Sequence, residues 1–326
     1  MKEETLSKLE LYFFPIDIKK ITPNSVLTFD LYIKTGQKFI LYKDRNIKIV
    51  PEDILRLLEN TVETLYVHKK DKRNYRGYLE ENLEELLQSE SVPIHRKAEA
   101  LHESAINVIQ DVFENPRSGD SIKRSKEIIG HTVDFILGTP ESFVNLLKIR
   151  KHDYYTYTHS VNVCTFLVSL SREVGIQDKD ILKAVGEGGL LHDLGKSKIP
   201  SAIINKPGKL SKTEWEIMQQ HPAYGVEIAR ETREINDVSV TIIGQHHERP
   251  SGKGYPGSLK GDELSIYARM ASIVDVYDAI TTNRSYSAAR TPMEAAHFLL
   301  QNKEDFSEDL LKSFIKMLAV KKQDEK

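Results

Sequence analysis

Residues 188–200 read GGLLHDLGKSKIP and place a histidine beside an aspartate, His192 and Asp193, at the end of an apolar run. A carboxylate in an apolar environment needs a partner, because desolvating it alone is costly. The local sequence supplies one nearby cation, Lys196. The other partners of this pair must therefore come from distant parts of the chain.

Other helical segments carry histidine or aspartate on the same face as their apolar residues. His159 lies four residues before Val163, and Asp275 follows Ala271 by one turn. A capping box, Ser211 with Glu214, begins a helix that we expect to end at His221. The full set of candidates is His159, His192, Asp193, His221, His246, His247 and Asp275.

These seven side chains point toward one interior. A single buried histidine is ordinary, but seven buried groups would each need a separate hydrogen-bond partner, whereas a shared cation satisfies them together. Imidazoles and carboxylates without a thiolate suit iron, manganese or zinc better than calcium or magnesium. Seven ligands exceed the needs of one tetrahedral zinc, so the pattern favours two metals bridged by Asp193.

Composition limits the class of protein. A chain of 326 residues has room for about two domains, and its net charge of −2 gives no general attraction to nucleic acid or to an anionic membrane. The single cysteine, Cys164, excludes an intramolecular disulfide. No apolar run approaches the ~18 residues of a membrane span. The first residues include acidic side chains in the region where a signal peptide would be apolar. We expect a cytoplasmic protein that binds neither membranes nor nucleic-acid polymers.

The chain divides into three predicted parts. Residues 1–72 predict a small α+β regulatory or sensor module, with a hairpin over 25–44, a helix from Pro51 and a strand at 64–68. Residues 73–120 predict a helical linker, with an acidic amphipathic helix over 75–90. A second helix there carries Leu101, Ala105, Val108 and Val112 at coiled-coil spacing, which either forms a homodimer or packs within the chain. The sequence pattern over residues 121–326 predicts a series of consecutive helices.

Two longer stretches carry a resemblance to a known family. They are HDLGKSKIPSAIINKPGKLSKTEWEIMQQHPAYG at 192–225 and HHERPSGKGYPG at 246–257. From about residue 125 to 320 the sequence resembles the HD-GYP family, named for an HD pair, here His192-Asp193, and a GYP triplet, here 254–256. The resemblance implies an all-helical, metal-dependent phosphohydrolase domain that hydrolyses cyclic di-GMP to pGpG and, in some members, on to GMP. It also implies a cyclic dinucleotide substrate and GGDEF-type signalling proteins as partners.

The resemblance assigns metal roles to the seven candidates. Asp193 would bridge two metals; one would be completed by His159, His192 and Asp275, and the other by His221, His246 and His247. It implies iron or manganese, with zinc as the alternative. Members with a third metal have a glutamate where this chain has Tyr155, so the resemblance supports two metals rather than three.

The same resemblance implies contacts to the substrate. Lys196 would stabilise charge at the scissile phosphate and act with Asp193 in catalysis. Arg284 would contact phosphate or guanine. Asp278 either accompanies Arg284 or holds the surrounding structure, and Tyr255 either stacks on a base or holds its loop.

Two other functions stay open. Ser251 and Ser287 depart from the family pattern and favour a non-hydrolysing receptor or interaction module, although the complete set of metal ligands speaks against it. A nucleotidase of the broader HD superfamily is the other alternative, and the GYP triplet disfavours it.

Overall fold

The structure, a computed structural model, describes residues 11–149, 156–282 and 289–319. The chain forms two compact units, Met1–Ser104 and Ala105–Lys326. The division into 1–72, 73–120 and 121–326 stays a prediction. Among the described residues, none of the helices combines the length and apolar character needed to cross a membrane.

The first unit contains a four-stranded antiparallel sheet of order β1-β4-β2-β3. Its strands are β1 Phe13–Asp17, β2 Leu31–Thr35, β3 Lys38–Lys43 and β4 Thr64–His68. The predicted hairpin and the strand at 64–68 are confirmed, and Gly36 turns the hairpin with a φ of 58°. Strand β1 was not predicted, and it contains Pro15, a residue that is unfavourable within a sheet. Its place at the edge of the sheet explains why proline is tolerated there.

Three helices accompany the sheet, α1 Pro51–Glu59, α2 Lys72–Glu81 and α3 Leu83–Gln88. Pro51 begins α1, as predicted, because a first-turn residue needs no amide hydrogen. The single helix predicted over 75–90 is wrong, since α2 ends at Glu81 and Asn82 separates it from α3. The Asn82 side chain donates to the Tyr78 carbonyl over 2.8 Å, and such a local bond competes with helix continuation.

The next helix, α4, spans Ile94–Glu114 and carries the residues with coiled-coil spacing. Leu101, Ala105, Val108 and Val112 are all buried in the single chain. Their burial agrees with packing within the chain. A homodimer formed through this helix stays a prediction.

The described part of the second unit is helical and contains no β-strand, which confirms the predicted mainly-α class. Its helices are α5 Gly119–Gly138, α6 Pro140–Ile149, α7 Thr156–Glu173, α8 Lys179–Leu191, α9 Ser201–Ile204, α10 Lys212–Met218, α11 His221–Thr232, α12 Asp237–Gln245, α13 Ile266–Thr281, α14 Pro292–Gln301 and α15 Glu308–Ala319. The capping box of Ser211 and Glu214 is confirmed at the start of α10. The helix ends at Met218, however, and His221 begins the next one.

Two glycines of the opening stretch allow helices α7 and α12 to approach α8 closely. A Cβ on Gly188 would lie 2.8 Å from the Cβ of Ile242 on α12, and a Cβ on Gly189 would lie 3.0 Å from the Cα of Cys164 on α7. Both distances are shorter than van der Waals contact allows, so larger residues would push the helices apart. This close packing brings the ends of the three helices toward the same interior.

Candidate metal centre

The structure brings all seven predicted metal-binding side chains together in the second unit. Ligand atoms lie within 4.8 Å of one another in each of three overlapping groups. The groups are His159 with His192 and Asp275, His221 with His246 and His247, and His192 with Asp193 and His246. The first two groups are the two sets expected from the sequence, and the third connects them. Apart from His247, which is partly exposed, all seven are buried.

Three of the histidines stand at or just after the ends of helices. His192 follows the last residue of α8 and His246 the last residue of α12, while His221 lies three residues after the end of α10. Their Nδ1 atoms bond the carbonyls of Gly189, Ile243 and Met218 over 2.8, 3.0 and 2.8 Å. Carbonyls in the last turn of a helix lack helical partners, so they are available as acceptors.

These bonds determine which ring nitrogen carries the proton. A carbonyl can only accept, so in a neutral ring Nδ1 holds the hydrogen and Nε2 presents a lone pair. Burial lowers the pKa of His221 to about 4 and holds the pKa of His246 well below its ordinary value, so both rings are neutral at pH 7. Their Nε2 atoms nevertheless face each other at 3.2 Å. Two lone pairs at this distance repel unless a cation lies within reach of both.

Asp193 lies between the two groups. Its Oδ2 is 3.4 Å from His192 Nε2, and its Oδ1 is 3.4 Å from His221 Nε2 and 4.0 Å from His246 Nε2. Lys196 Nζ donates to Oδ2 over 2.6 Å. Burial alone would raise the pKa of Asp193, but the positive charge of Lys196 holds it well below its ordinary value. The carboxylate is therefore ionised and directs one oxygen toward each group.

A buried carboxylate orients His159 from behind. The Nδ1 of His159 donates to Asp278 Oδ2 over 2.8 Å, and Asn162 donates to the other oxygen over 3.0 Å. The His159 Nε2 faces Asp275 Oδ1 at 3.0 Å. A carboxylate bonded to the outer nitrogen of a metal-binding histidine fixes the ring and raises its basicity. The structure thus places Asp278 behind His159, where the sequence had suggested either a substrate contact or a structural role.

Two buried atoms at the centre test whether a metal fits. His192 Nε2 and Asp193 Oδ1 have no hydrogen-bond partner among the described residues. Buried polar atoms are satisfied in nearly all native proteins, so two such atoms in one cluster call for a missing ligand. Both atoms present lone pairs, which a bound cation complements. The residues present therefore fit divalent metal ions.

Beside the centre, the loop after α12 carries Tyr255. Its ring stacks on His247 with centroids 4.6 Å apart and an interplanar angle of 27°. A Cβ on Gly254 would lie 2.5–2.6 Å from the backbone of 247–249, so only glycine permits this close approach. The buried Glu248 carboxylate accepts hydrogen bonds from the amides of Gly257 and Leu259 and so ties the loop down.

Three buried polar residues of the second unit were missed by sequence reasoning. Glu248 and Asn162 were not singled out, because their partners lie far along the chain or on another helix. Glu187, buried on α8, accepts from the amide of Asn236 and from the hydroxyl of Ser239 at the start of α12, the helix that His246 follows. A buried acid within an apolar helix was the available signal. Arg284, Ser287 and Tyr155, named from the sequence, lie outside the described residues.

Comparison with known proteins gives a family and several relatives. The family model of the HD domain matches residues 142–309, just over half of the chain. The "Cyclic di-GMP phosphodiesterase PA4108" of Pseudomonas aeruginosa is 32% identical over 227 residues, which cover 69% of this chain and 55% of that protein. The "3'3'-cGAMP-specific phosphodiesterase 2" of Vibrio cholerae is 30% identical over 284 residues, 82% of this chain and 50% of that protein. The chain thus spans about half the length of these curated relatives.

One solved structure has a similar fold. It is described as "Bd1817, a HDG"Y"P protein from Bdellovibrio bacteriovorus" and superposes with a TM-score of 0.68 at 24% identity. The match covers 94% of this chain and 99% of that one. At this identity the match supports the fold.

Proposed function

We propose that this chain, which belongs to the HD domain family and within it to the HD-GYP group, is a metal-dependent phosphodiesterase of cyclic dinucleotides. The curated relatives are named for cyclic di-GMP and for 3'3'-cGAMP. The substrate we assign first is cyclic di-GMP, hydrolysed to pGpG, with GMP as the alternative end product. The cytoplasmic location, the homodimer and the GGDEF-type partners stay predictions.

One observation carries the proposal. Asp193 directs its two oxygens toward two separate groups of histidine nitrogens, and the inward atoms of both groups present lone pairs. This arrangement matches a binuclear site with a bridging carboxylate. We assign one metal to His159, His192 and Asp275, and the other to His221, His246 and His247, with Asp193 shared between them. Nitrogen and carboxylate ligands without a thiolate favour iron or manganese, with zinc as the alternative.

The metals and the protein contribute different things. When bound, two divalent cations supply the positive charge that draws a phosphodiester in and makes water a stronger nucleophile at neutral pH. Asp278 holds His159 in the tautomer whose Nε2 faces inward. The carbonyls at the helix ends hold the rings of His192, His221 and His246 in the same way.

Within the described part of the chain, Lys196 is the cation closest to the shared carboxylate. Its ammonium is 2.6 Å from Asp193 and its side chain is 18% exposed, so it borders the centre and stays reachable from solvent. We assign it the stabilisation of charge that develops on the phosphate oxygens. Tyr255, stacked on His247, forms the adjoining wall, and Arg284 stays a predicted substrate contact.

The test is turnover by the full chain loaded with Mn(II) or Fe(II) in the absence of oxygen. We expect linear pGpG from cyclic di-GMP, detected by chromatography, with 3'3'-cGAMP and mononucleotides in the same panel. Stoichiometric metal binding without cleavage of any cyclic dinucleotide would contradict the proposal and favour a receptor. Cleavage of mononucleotides alone would favour a nucleotidase.

A further inference from the structure

Trp215, the one tryptophan of the sequence, is exposed beside the candidate metal centre. Its side chain lies on α10 and the residue is 46% exposed, although it is the largest apolar residue type. Its ring contacts Tyr255 edge-on, with centroids 6.0 Å apart and an angle of 80°. Tyr255 in turn stacks on His247 and lies 6.4 Å from the ring of His221. A continuous row of rings therefore leads from two metal-binding histidines to an exposed indole.

The two outer rings of this row are held in place. At the start of α10, the Ser211 hydroxyl accepts from the Glu214 amide, and the Glu214 carboxylate accepts from the Ser211 amide and pairs with Lys206 over 2.6 Å. These contacts fix the first turn of the short helix on which Trp215 lies. On the other side, Glu248 ties down the loop that carries Tyr255. The surface is thus preorganised, which lowers the entropic cost of binding a ligand on it.

We propose that Trp215 and Tyr255 form a stacking wall for one purine base of the cyclic dinucleotide, an inference that rests on the proposed function. In a nucleotide a single ribose separates phosphate from base. A phosphate held at the histidine groups therefore places its base beside the rings next to them. An exposed indole offers a flat apolar face, and base–aromatic stacking is the interaction such a face serves best.

Stacking on Trp215 has a definite consequence for specificity. Every base has a π-face, so a stacking wall accepts guanine and adenine alike. Trp215 therefore strengthens binding of cyclic dinucleotides as a class, and discrimination between them depends on other contacts. Loss of the indole should raise KM and leave kcat nearly unchanged, since the ring contacts the base and not the reacting phosphate.

The experiment uses the full chain loaded with Mn(II), for which the single tryptophan provides an intrinsic fluorescent signal. GMP and ribose 5-phosphate form a matched pair that differs only in the base. We expect GMP to quench the fluorescence saturably and ribose 5-phosphate to leave it unchanged. In kinetics with cyclic di-GMP, Trp215→Ala should raise KM about 5- to 150-fold, the range for loss of one base stack. Trp215→Phe should recover most of this loss.

The control is Leu300→Ala, which removes a comparably exposed apolar side chain on α14 and should leave KM unchanged. Unquenched fluorescence with GMP, together with an unchanged KM in Trp215→Ala, would overturn the inference. A wild-type chain that cleaves no cyclic dinucleotide would instead refute the proposed function. In that case the GMP and ribose 5-phosphate titrations still decide whether a base stacks on Trp215.

Discussion

Asp278 provides the sharpest test of how the metal centre is built. Its carboxylate is fully buried and accepts a 2.8 Å hydrogen bond from His159 Nδ1. Hydrogen bonds to charged groups contribute roughly 1.5–3 kcal/mol, and loss of such a partner behind a metal-binding histidine weakens metal binding by about 10- to 100-fold. We therefore expect variants of Asp278 to weaken one of the two metal sites.

Two variants separate the charge of Asp278 from its hydrogen bond. Asp278→Asn keeps the shape, and rotation of the Asn162 amide lets the new side chain still accept from His159. Asp278→Asn therefore removes mainly the negative charge. We expect it to weaken Mn(II) binding by about 10-fold, the lower end of the 10- to 100-fold range. Asp278→Ala removes the hydrogen-bond acceptor as well, and we expect it to weaken Mn(II) binding by about 100-fold. Equilibrium dialysis against Mn(II), with free Mn(II) measured by electron paramagnetic resonance, gives both values.

The matched control is Asp134→Asn, which makes the same chemical change in an exposed ion pair with Lys179. Exposed ion pairs contribute little to stability, so the metal affinity of this variant should equal that of the wild type. Equal Mn(II) affinity in the wild type and both Asp278 variants, with folding intact, would refute the orienting role. A raised KM for cyclic di-GMP with unchanged metal binding would instead place Asp278 in contact with substrate.

Three further substitutions test other parts of the site. Asp193→Ala should lose both metals and all turnover, measured by metal analysis and product chromatography; retained activity would exclude a bridging role. Lys196→Ala should keep its metals but lower kcat by roughly 10²–10³, the scale for one transition-state contact, and a wild-type rate would make the lysine a bystander. Gly195→Ala should lower the free energy of unfolding by about 1–3 kcal/mol or more in urea titrations, because its Cβ would overlap the carbonyl oxygen of His221. Gly138→Ala, where a Cβ meets no atom within 4 Å, is the control and should change stability little.

Helical periodicity was sufficient to predict the burial of the two ligands that lie within helices, His159 and Asp275. Because His159 shares the face of Val163, and Asp275 that of Ala271, burial of the apolar stripe also buries the ligand. The resemblance then grouped the seven residues as the structure groups them. Residues fixed by the local helix pattern were therefore predictable from sequence.

Contacts across long stretches of chain were not predictable in this way. Glu248 bonds an amide 11 residues away, and Trp215 meets Tyr255 across two helices and a loop. Local features that contradict simple propensity were also missed, such as Pro15 in strand β1. In each case the tertiary environment determines the local structure or the contact. A sequence pattern within one segment does not contain that information.

The position of the histidines at helix ends explains why this interior selects cations. Helices α8 and α12 both end at the centre with partially negative C-termini, while α11 begins there at His221 with a partially positive N-terminus. Two ionised carboxylates, Asp193 and Asp275, add negative charge, while Lys196 supplies one opposing charge. These two carboxylates would repel an anionic phosphodiester, and cations bound between them would offset that repulsion. Because the helix-end carbonyls and Asp278 fix the ring tautomers, the same backbone features that form the helices also prepare the centre for metal.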